Sequence, residues 1–393
     1  MRIAINVFYV ILLFGCFTFK SYSFELGVGT HLAFYPNSYD YYIKLAKSYG
    51  FSSLRDEVSW QQIEKMPKVY AIPKIITKTD SAFTSASTTS ELSMILILSY
   101  GNGLYTKNGY PSNDKEIQGF ANYASWVVKR YNGRVKYYEI WNEWLAGTGV
   151  GNKKIGRPGD DVFISLVKST SSAVKNLDKN AVVMTGSINP LKSRERQWIY
   201  NLINAGLLKY VDAISIHPYS FQFQGSPLQK PEGNLIEIDK FEEELKKIAG
   251  KDVPLYITEV GYPTTYAGGG FDPEKAGVDT LKYSLLSKSR SYIKGVWWYD
   301  FIDDGKSYFN REHHFGLLGI DEKPKPSALY LKEFGNLIKY ATVKVINESV
   351  DGLVKVNISR GDDSIDIEWD NSKPDSDKQF IVKLRQAKKV LGY

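Results

Sequence analysis

Cysteine is nearly absent from this chain, whose 393 residues include only one, Cys16. Because Cys16 lies in an apolar leader that we expect to be removed, a disulfide scaffold, a cysteine zinc site and a thiol nucleophile are excluded. Blocks of lysine and arginine are also missing, although the 50 basic residues leave a net charge of +7. Since the basic residues are spread along the chain, we expect no nucleic acid partner.

Long hydrophobic runs are confined to the start of the chain. Arg2 precedes an apolar run over residues 3–19, and small residues then occupy the positions that a signal peptidase reads. We therefore expect residues 1–23 to be a cleaved export signal and the protein to be secreted or periplasmic. An uncleaved anchor, or a lipid attached to Cys16, is the alternative. No later stretch reaches the roughly 18 apolar residues of a membrane helix, so no span should remain after cleavage.

Short apolar strands alternate with longer amphipathic stretches between residues 24 and 339. The predicted strands are Leu26–His31, Ser53–Val58, Met94–Tyr100, Val135–Trp141, Val182–Gly186, Ala213–His217, Leu255–Glu259 and Gly295–Asp300. Strands that are each followed by a helix predict an α/β fold, a (β/α)8 TIM barrel. A doubly wound open sheet is the alternative, but its glycine-rich phosphate turn is missing after the first strand.

Residues 340–393 have a different pattern, with short runs that alternate apolar and polar residues between turns. The strands predicted there are Val343–Val345, Leu353–Ile358, Ser364–Glu368 and Phe380–Leu384. We expect a small C-terminal antiparallel β-domain that covers the flank of the barrel. Because Trp369 is its only tryptophan, a structural role is favoured over sugar binding.

Polar and aromatic residues cluster at the predicted carboxyl ends of the barrel strands, where such barrels form their active sites. They are His31, Arg55, Glu57, Tyr100, Asn102, Asn142, Glu143, His217, Tyr219, Glu259, Trp297, Trp298 and Asp300. Glu143 and Glu259 each close a buried strand. Hydrolysis of a glycosidic bond needs two carboxyl groups, one to protonate the leaving oxygen and one to attack or stabilise the anomeric carbon.

The sequence at these strand ends resembles clan A of the glycoside hydrolases. The run Trp141-Asn142-Glu143 at the fourth strand, joined by Glu259 at the seventh, carries the likeness. Four segments resemble family 39 and its bacterial relatives that process exopolysaccharides: Ser53–Arg55, Tyr138–Glu143, Thr258–Tyr262 and Trp298–Asp300. The resemblance covers residues 24–340.

The resemblance implies a retaining mechanism with two distinct carboxyl groups. Glu259 would be the nucleophile, held ionised by Arg55 and by a tyrosine hydroxyl, for which Tyr219 is the candidate. Glu143 would be the acid/base, with a pKa raised by burial and by the neighbouring anion. The two carboxyl groups should lie about 5–5.5 Å apart.

The remaining predicted site residues would bind the sugar. The resemblance implies that Asn142 binds the sugar 2-hydroxyl and that Trp298 forms the floor of the sugar subsite. Only one of Trp297 and Trp298 can face the barrel mouth, and alternation along the strand does not choose between them. His31 and His217 are either buried core histidines or contacts to the substrate, and their place at strand ends favours substrate contacts.

Three further features have competing interpretations. Glu139 lies in the same strand as Glu143 but has no asparagine before it, so it is the weaker candidate for the acid/base. Glu57 is either a site residue or the partner of Arg55 in an ion pair. The adjacent pair His313-His314 has no carboxylate–histidine spacing of the kind that binds metal, so we predict neither a metal nor a cofactor.

One departure from the family pattern leaves the substrate open. Trp144 follows Glu143, and a loop with Gly147, Gly149 and Gly151 comes next. We expect an exported retaining β-glycosidase, monomeric, acting on an oligo- or polysaccharide, with a bacterial exopolysaccharide as the leading candidate. The alternatives are an exo-acting, xylosidase-like enzyme and a catalytically silent carbohydrate-binding protein on the same scaffold.

Overall fold

The computed structural model describes residues 24–89, 92–152, 154–266 and 268–393, so the predicted export signal at residues 1–23 lies outside the described residues. Within these ranges, no helix has both the length and the apolar character needed to cross a bilayer.

Eight parallel strands close into a barrel, which confirms the predicted fold class. The barrel strands are β1 (Glu25–Gly29), β2 (Ser53–Glu57), β5 (Ser93–Leu98), β6 (Tyr137–Ile140), β7 (Val182–Ile188), β8 (Ala213–Ile216), β9 (Leu255–Val260) and β10 (Ile293–Trp298). A hairpin of β3 (Glu64–Met66) and β4 (Val69–Tyr70) lies in the loop after β2. Because β1 pairs with both β2 and β10, the sheet has no free edge and the open-sheet alternative is excluded.

Helices surround the barrel, and several begin at residues suited to that position. The longer ones are α1 (Tyr39–Ser48), α3 (Thr77–Thr89), α5 (Asp114–Tyr131), α6 (Asp160–Leu177), α7 (Ser193–Asn204), α8 (Pro231–Ala249), α9 (Pro273–Lys288) and α10 (Pro326–Tyr340). Two short helices, α2 (Trp60–Ile63) and α4 (Gly103–Thr106), lie in loops. At the start of α9, Asp272 accepts hydrogen bonds from the N–H groups of Glu274 and Lys275. Pro273 has no N–H group, so it leaves no donor without a partner in the first turn.

Alternation along the strands separates two buried layers. The larger layer lies between strands and helices. A smaller cluster fills the inside of the barrel and consists of Ile95, Tyr137, Val182, Met184, Ala213, Tyr256 and Trp297. On β6, Tyr137 belongs to this cluster, and Glu139, two residues later, faces the same interior nearer the carboxyl ends. The barrel is therefore apolar at depth and polar at its mouth, where the site lies.

The C-terminal segment forms a three-stranded antiparallel sheet and a helix. The strands are β11 (Thr342–Asn347), β12 (Leu353–Arg360) and β13 (Asp363–Asp370), and the helix is α11 (Ser376–Val390). The predicted fourth strand, Phe380–Leu384, is wrong because these residues belong to α11. The buried residues Phe380, Leu384 and Ala387 recur at intervals of four and three, which is a helical spacing that a five-residue window cannot reveal.

Trp369 connects the C-terminal segment to the helices of the barrel. The side chain is 2 % exposed, and its indole N–H donates to Glu232 Oε1 of α8 at 2.7 Å. Lys282 of α9 donates to Asp377 of α11 at 2.7 Å beside the same indole. The sheet and α11 therefore pack on α8 and α9, on the outer side of the barrel wall and not at its mouth.

Replacing Trp369 tests this attachment. We expect Trp369→Ala to lower the free energy of unfolding by about 3–5 kcal/mol, because it opens a large cavity. Trp369→Phe should lower it by about 1–3 kcal/mol, because buried Glu232 loses its donor. Urea denaturation followed by circular dichroism measures both. Val382→Ala, at an exposed position of α11, is the control and should change the value by no more than about 0.5 kcal/mol; a Trp369→Ala variant as stable as this control would contradict the attachment.

Candidate active site

The two predicted catalytic glutamates face each other at the mouth of the barrel. Glu259 lies near the carboxyl end of β9 and is 7 % exposed, whereas the Glu143 side chain, just after β6, is 31 % exposed. A carboxylate oxygen of each residue and a ring nitrogen of His217 all lie within 4.8 Å of one another. This spacing leaves room for a sugar carbon next to one carboxylate and a glycosidic oxygen next to the other.

Two donors hold the carboxylate of Glu259 in place. Arg55 Nη1 donates to Glu259 Oε1 at 2.6 Å, and the hydroxyl of Tyr219 donates to Glu259 Oε2 at 2.8 Å. Both carboxylate oxygens are therefore oriented, and a guanidinium lies beside the predicted nucleophile.

Arg55 connects three strand ends. Besides Glu259, its guanidinium donates through Nε to Glu139 Oε2 at 2.7 Å and through Nη2 to Asn142 Oδ1 at 3.0 Å. The Asn142 side chain, in turn, donates to the Tyr100 hydroxyl at 3.4 Å. Since Arg55 is 4 % exposed, these partners replace its hydration.

Glu139, the weaker candidate for the acid/base, is fully buried and belongs to the support of the site. Its Oε1 accepts from Ser187 at 2.9 Å and from Thr258 at 3.0 Å. Burial disfavours the charged form of Glu139, but the charges of Arg55 and His217 and the hydrogen bonds from Arg55 and Ser215 together outweigh burial and lower the pKa of Glu139. Glu57 accepts from Ser99 at 3.1 Å, and the ion pairs of Arg55 within the described residues are those with Glu139 and Glu259.

Glu143 lies in a different electrostatic environment from the one expected. Glu143 Oε1 is 3.1 Å from His217 Nδ1, and Glu143 Oε2 accepts from the Thr148 hydroxyl at 2.9 Å. Burial favours the neutral acid, but the hydrogen bond and charge of His217, together with the Thr148 hydroxyl and the charge of Arg55, outweigh burial and lower the pKa of Glu143. The predicted rise is therefore wrong for the free protein, because Arg55 already neutralises the anion at Glu259 and a buried imidazole contacts Glu143.

His217 is the buried histidine that contacts Glu143. Burial disfavours its imidazolium, but the carboxylates of Glu259 and Glu143 outweigh burial and raise the pKa of His217. The other ring nitrogen, Nε2, is 3.0 Å from the Thr258 hydroxyl. The Glu143–His217 contact therefore couples the titration of the two groups, because each favours the charged form of the other.

His31 lies across the mouth from Glu143 and lines the same cavity. Its Nδ1 is 2.9 Å from Asp304 Oδ1 and 3.8 Å from Asp300 Oδ2. Burial lowers the pKa of His31, but the hydrogen bond to Asp304 and the charge of Asp300 outweigh burial and raise this pKa to about 9. A positive imidazolium at neutral pH therefore faces the cavity at this end.

The prediction that Trp298 forms the floor of the sugar subsite is wrong, because its side chain does not line the cavity. Trp298 is 1 % exposed and packs in the outer layer against Tyr262 and Tyr283, with ring centroids 5.8 Å away in both cases. Trp297 faces the barrel interior, too deep to line the cavity. The first residue after the strand, Tyr299, lines the cavity instead.

The cavity around the two glutamates has a volume of about 700 Å³, within the usual range for ligand sites. Of the predicted residues, the structure brings together at this cavity His31, Arg55, Glu57, Tyr100, Asn142, Glu143, His217, Tyr219 and Glu259. Sequence reasoning missed Phe34, Thr148, Asp304 and Glu312, which line the same cavity from loops. Only Thr148 had a signal, since it lies in the glycine-rich loop after Glu143.

A parallel barrel that presents paired glutamates at its fourth and seventh strands defines a retaining glycoside hydrolase of clan A, as predicted. The family model described as Cellulase (glycosyl hydrolase family 5) matches residues 18–299, and the chain belongs to this family. No curated protein matches the chain.

Solved structures share the fold at low sequence identity. A family 39 glycoside hydrolase from the gut symbiont Bacteroides cellulosilyticus WH2 is 23% identical with a TM-score of 0.71, covering 88% of this chain and 70% of that one. A glucosidase from Croceicoccus marinus is 11% identical with a TM-score of 0.62, covering 88% and 80%. The endo-beta-1,4-mannanase from Thermotoga petrophila is 16% identical with a TM-score of 0.56, covering 90% and 92%.

Removing Arg55 should destabilise the protein as well as the site. We expect Arg55→Met to lower the free energy of unfolding by about 3–5 kcal/mol, because two buried carboxylates lose their common counter-charge. Arg385→Met is the matched control: its ion pair with Glu333 has side chains that are 54 % and 31 % exposed, and such a pair contributes at most about 1 kcal/mol. Chemical denaturation compares the two variants. A loss for Arg55→Met no larger than for Arg385→Met would contradict the buried network.

The charge of His31 can be measured directly, because the chain has only 4 histidines. We expect NMR titration to give His31 a pKa of about 9, and Asp304→Asn to lower it. Since the pKa in the folded protein exceeds the ordinary histidine value of 6.5, the stabilisation from protonated His31 is present below pH 6.5 and is lost as the pH rises to about 9. An unshifted pKa in the wild type would contradict the cluster with Asp300 and Asp304.

Proposed function

We propose that the protein is an exported β-glycosidase that cleaves bonds within a polysaccharide, and that a bacterial exopolysaccharide is its substrate class. The observation that carries the proposal is the Glu143–Glu259 pair in the middle of a cavity that continues past both carboxylates. Export rests on the signal pattern in residues 1–23, and the exopolysaccharide class rests on the sequence likeness at the strand ends.

The geometry assigns a step to each glutamate. Glu259, oriented by Arg55 and Tyr219, attacks the anomeric carbon and forms a glycosyl ester while Glu143 protonates the departing oxygen. Forming the ester removes the negative charge of Glu259. Glu143, now a carboxylate, takes a proton from water as the water oxygen attacks the same carbon, and Glu259 is released with retained configuration.

The extent of the cavity supports a polymeric substrate. From the nucleophile, it continues to the loops after β10 and β1, where Phe34 is 74 % exposed and offers a ring face for sugar stacking. From the acid/base, it continues to Lys192 and Gln222, in the loops after β7 and β8. Sugars on both sides of the cleaved bond would therefore have protein contacts.

The names of similar structures point in the same direction. They include the endo-beta-1,4-mannanase from Thermotoga petrophila and a beta-glycosidase, BGL167. We therefore expect β-linked substrates. The exo-acting, xylosidase-like alternative differs in its products, because it would release single sugars from chain ends.

A panel of polysaccharides tests the proposal. Purified protein is incubated with bacterial exopolysaccharides, xylan, mannan and mixed-linkage glucan, and new reducing ends and product lengths are measured. We expect oligosaccharides from an exopolysaccharide. Monosaccharides alone would favour the exo-acting alternative, and cleavage of plant polymers only would contradict the exopolysaccharide class.

Variants of the two glutamates test the mechanism on any polymer that is cleaved. Glu143→Gln should lower kcat/KM by about 10²–10⁴-fold, because general acid catalysis is lost, and Glu259→Gln should abolish formation of the glycosyl ester. A 2-fluoro glycoside should label Glu259, as detected by peptide mass spectrometry. Glu333→Gln, on α10 outside the cavity, is the matched control. Normal hydrolysis by both catalytic variants would exclude the two-glutamate reaction.

A further inference from the structure

The loop after Glu143 places the hydroxyl of Thr148 against the Glu143 carboxylate. Thr148 lies between Gly147 and Gly149, which have φ angles of +74° and +75°, in the left-handed region that favours glycine. The loop turns back on the catalytic residue itself, since the N–H groups of Ala146 and Gly147 both donate to the backbone carbonyl of Glu143 at 3.1 Å.

Two neighbours require the glycines on either side of Thr148. A Cβ at Gly149 would lie 2.1 Å from the ring of Tyr100, and a Cβ at Gly147 would lie 3.0 Å from the Tyr110 hydroxyl. The Tyr110 hydroxyl also donates to the carbonyl of Trp144 at 3.0 Å. The loop therefore rests directly on two aromatic side chains, and this contact determines the position of Thr148.

Thr148 and His217 contact different carboxylate oxygens of Glu143. Thr148 Oγ1 donates to Glu143 Oε2 at 2.9 Å, and His217 Nδ1 is 3.1 Å from Glu143 Oε1. One partner on each oxygen fixes the rotation of the carboxyl group about its last bond. Thr148 also lines the cavity, so it holds Glu143 from the side on which the substrate arrives.

We propose that Thr148 is a positioning residue for the acid/base Glu143, and that the flanking glycines are present to deliver its hydroxyl. A hydroxyl can both donate and accept, so it can serve Glu143 in either protonation state. The proposal rests on the two-glutamate reaction and does not depend on which polymer is cleaved.

The hydroxyl matters most when Glu143 is charged. In the first step the O–H bond of Glu143 breaks, and its proton goes to the leaving oxygen as the bond from the anomeric carbon to Glu259 forms. Thr148 then donates to a full carboxylate, and such a bond is stronger than one to a neutral acid. In the second step the proton of water passes to Glu143, and the charge disappears again.

Titration of the Glu143 carboxyl tests this without any substrate. Carbon-13 NMR of protein labelled at the glutamate carboxyl follows Glu143, assigned by its absence in Glu143→Gln. Thr148→Val should raise the pKa of Glu143 by about 0.5–1 unit, because the carboxylate loses a donor, and Thr148→Ser should restore it. The charged groups that face Glu143, namely His217, Arg55 and Glu259, are present in every variant.

Kinetics with two leaving groups provides a second readout on the glycosyl group that the wild type accepts. Thr148→Val should lower kcat/KM for an alkyl glycoside about tenfold, a part of what complete loss of acid catalysis costs. A dinitrophenyl glycoside needs little protonation, so its kcat/KM should change less than about twofold. Thr148→Ser should behave as the wild type with both.

Several results would overturn the proposal. These are an unchanged pKa of Glu143 in Thr148→Val, equal kinetic losses for both leaving groups, or a Thr148→Ser variant as impaired as Thr148→Val. Thr148→Ala repeats the titration if Thr148→Val does not fold. If the wild type cleaves no polysaccharide while the pKa shifts as expected, the proposed polysaccharide function fails and the role of Thr148 stands.

Discussion

The buried guanidinium of Arg55 is the interaction on which the rest of the site depends. It joins β2 to β6 and β9 by donating to Glu139, Asn142 and Glu259 within 3.0 Å. A buried cation costs several kcal/mol unless partners replace its hydration, and here two carboxylates and an amide do so. The same contacts orient Glu259, the proposed nucleophile, so the stability of the barrel mouth and the geometry of the site have one source.

A single charge arrangement also separates the roles of the two catalytic glutamates. Glu259 accepts hydrogen bonds from Arg55 and Tyr219, whereas Glu143 contacts His217 and is more exposed. Glu139 supplies the additional negative charge that balances Arg55 and His217. The two carboxyl groups at the barrel mouth thus lie in different electrostatic environments, as the two roles in a retaining hydrolase require.

Rigid and adjustable parts of the site come from different elements. Strand ends supply Arg55, Glu259 and the support around Glu139, whereas the loops supply Phe34 and Thr148. Residues at strand ends are held by the hydrogen bonds of the whole barrel. In folds of this kind, the loops vary between proteins and adapt the site to different substrates. The C-terminal sheet and α11 pack on the outer helices and leave the mouth open.

The sequence by itself determined the barrel and the place of Glu143 and Glu259 at two of its strand ends, because strand and helix periodicities are local and strand ends of a parallel barrel converge. Tertiary structure decided the rest. The pKa of Glu143 depends on His217, 74 residues away. Which of Trp297 and Trp298 faces the barrel interior depends on how β10 pairs with β1 and β9. The helical spacing of Phe380, Leu384 and Ala387 acquires its meaning only in the folded chain, where α11 packs on β13 and α9. Each outcome depends on long-range contacts, which no short window of sequence contains.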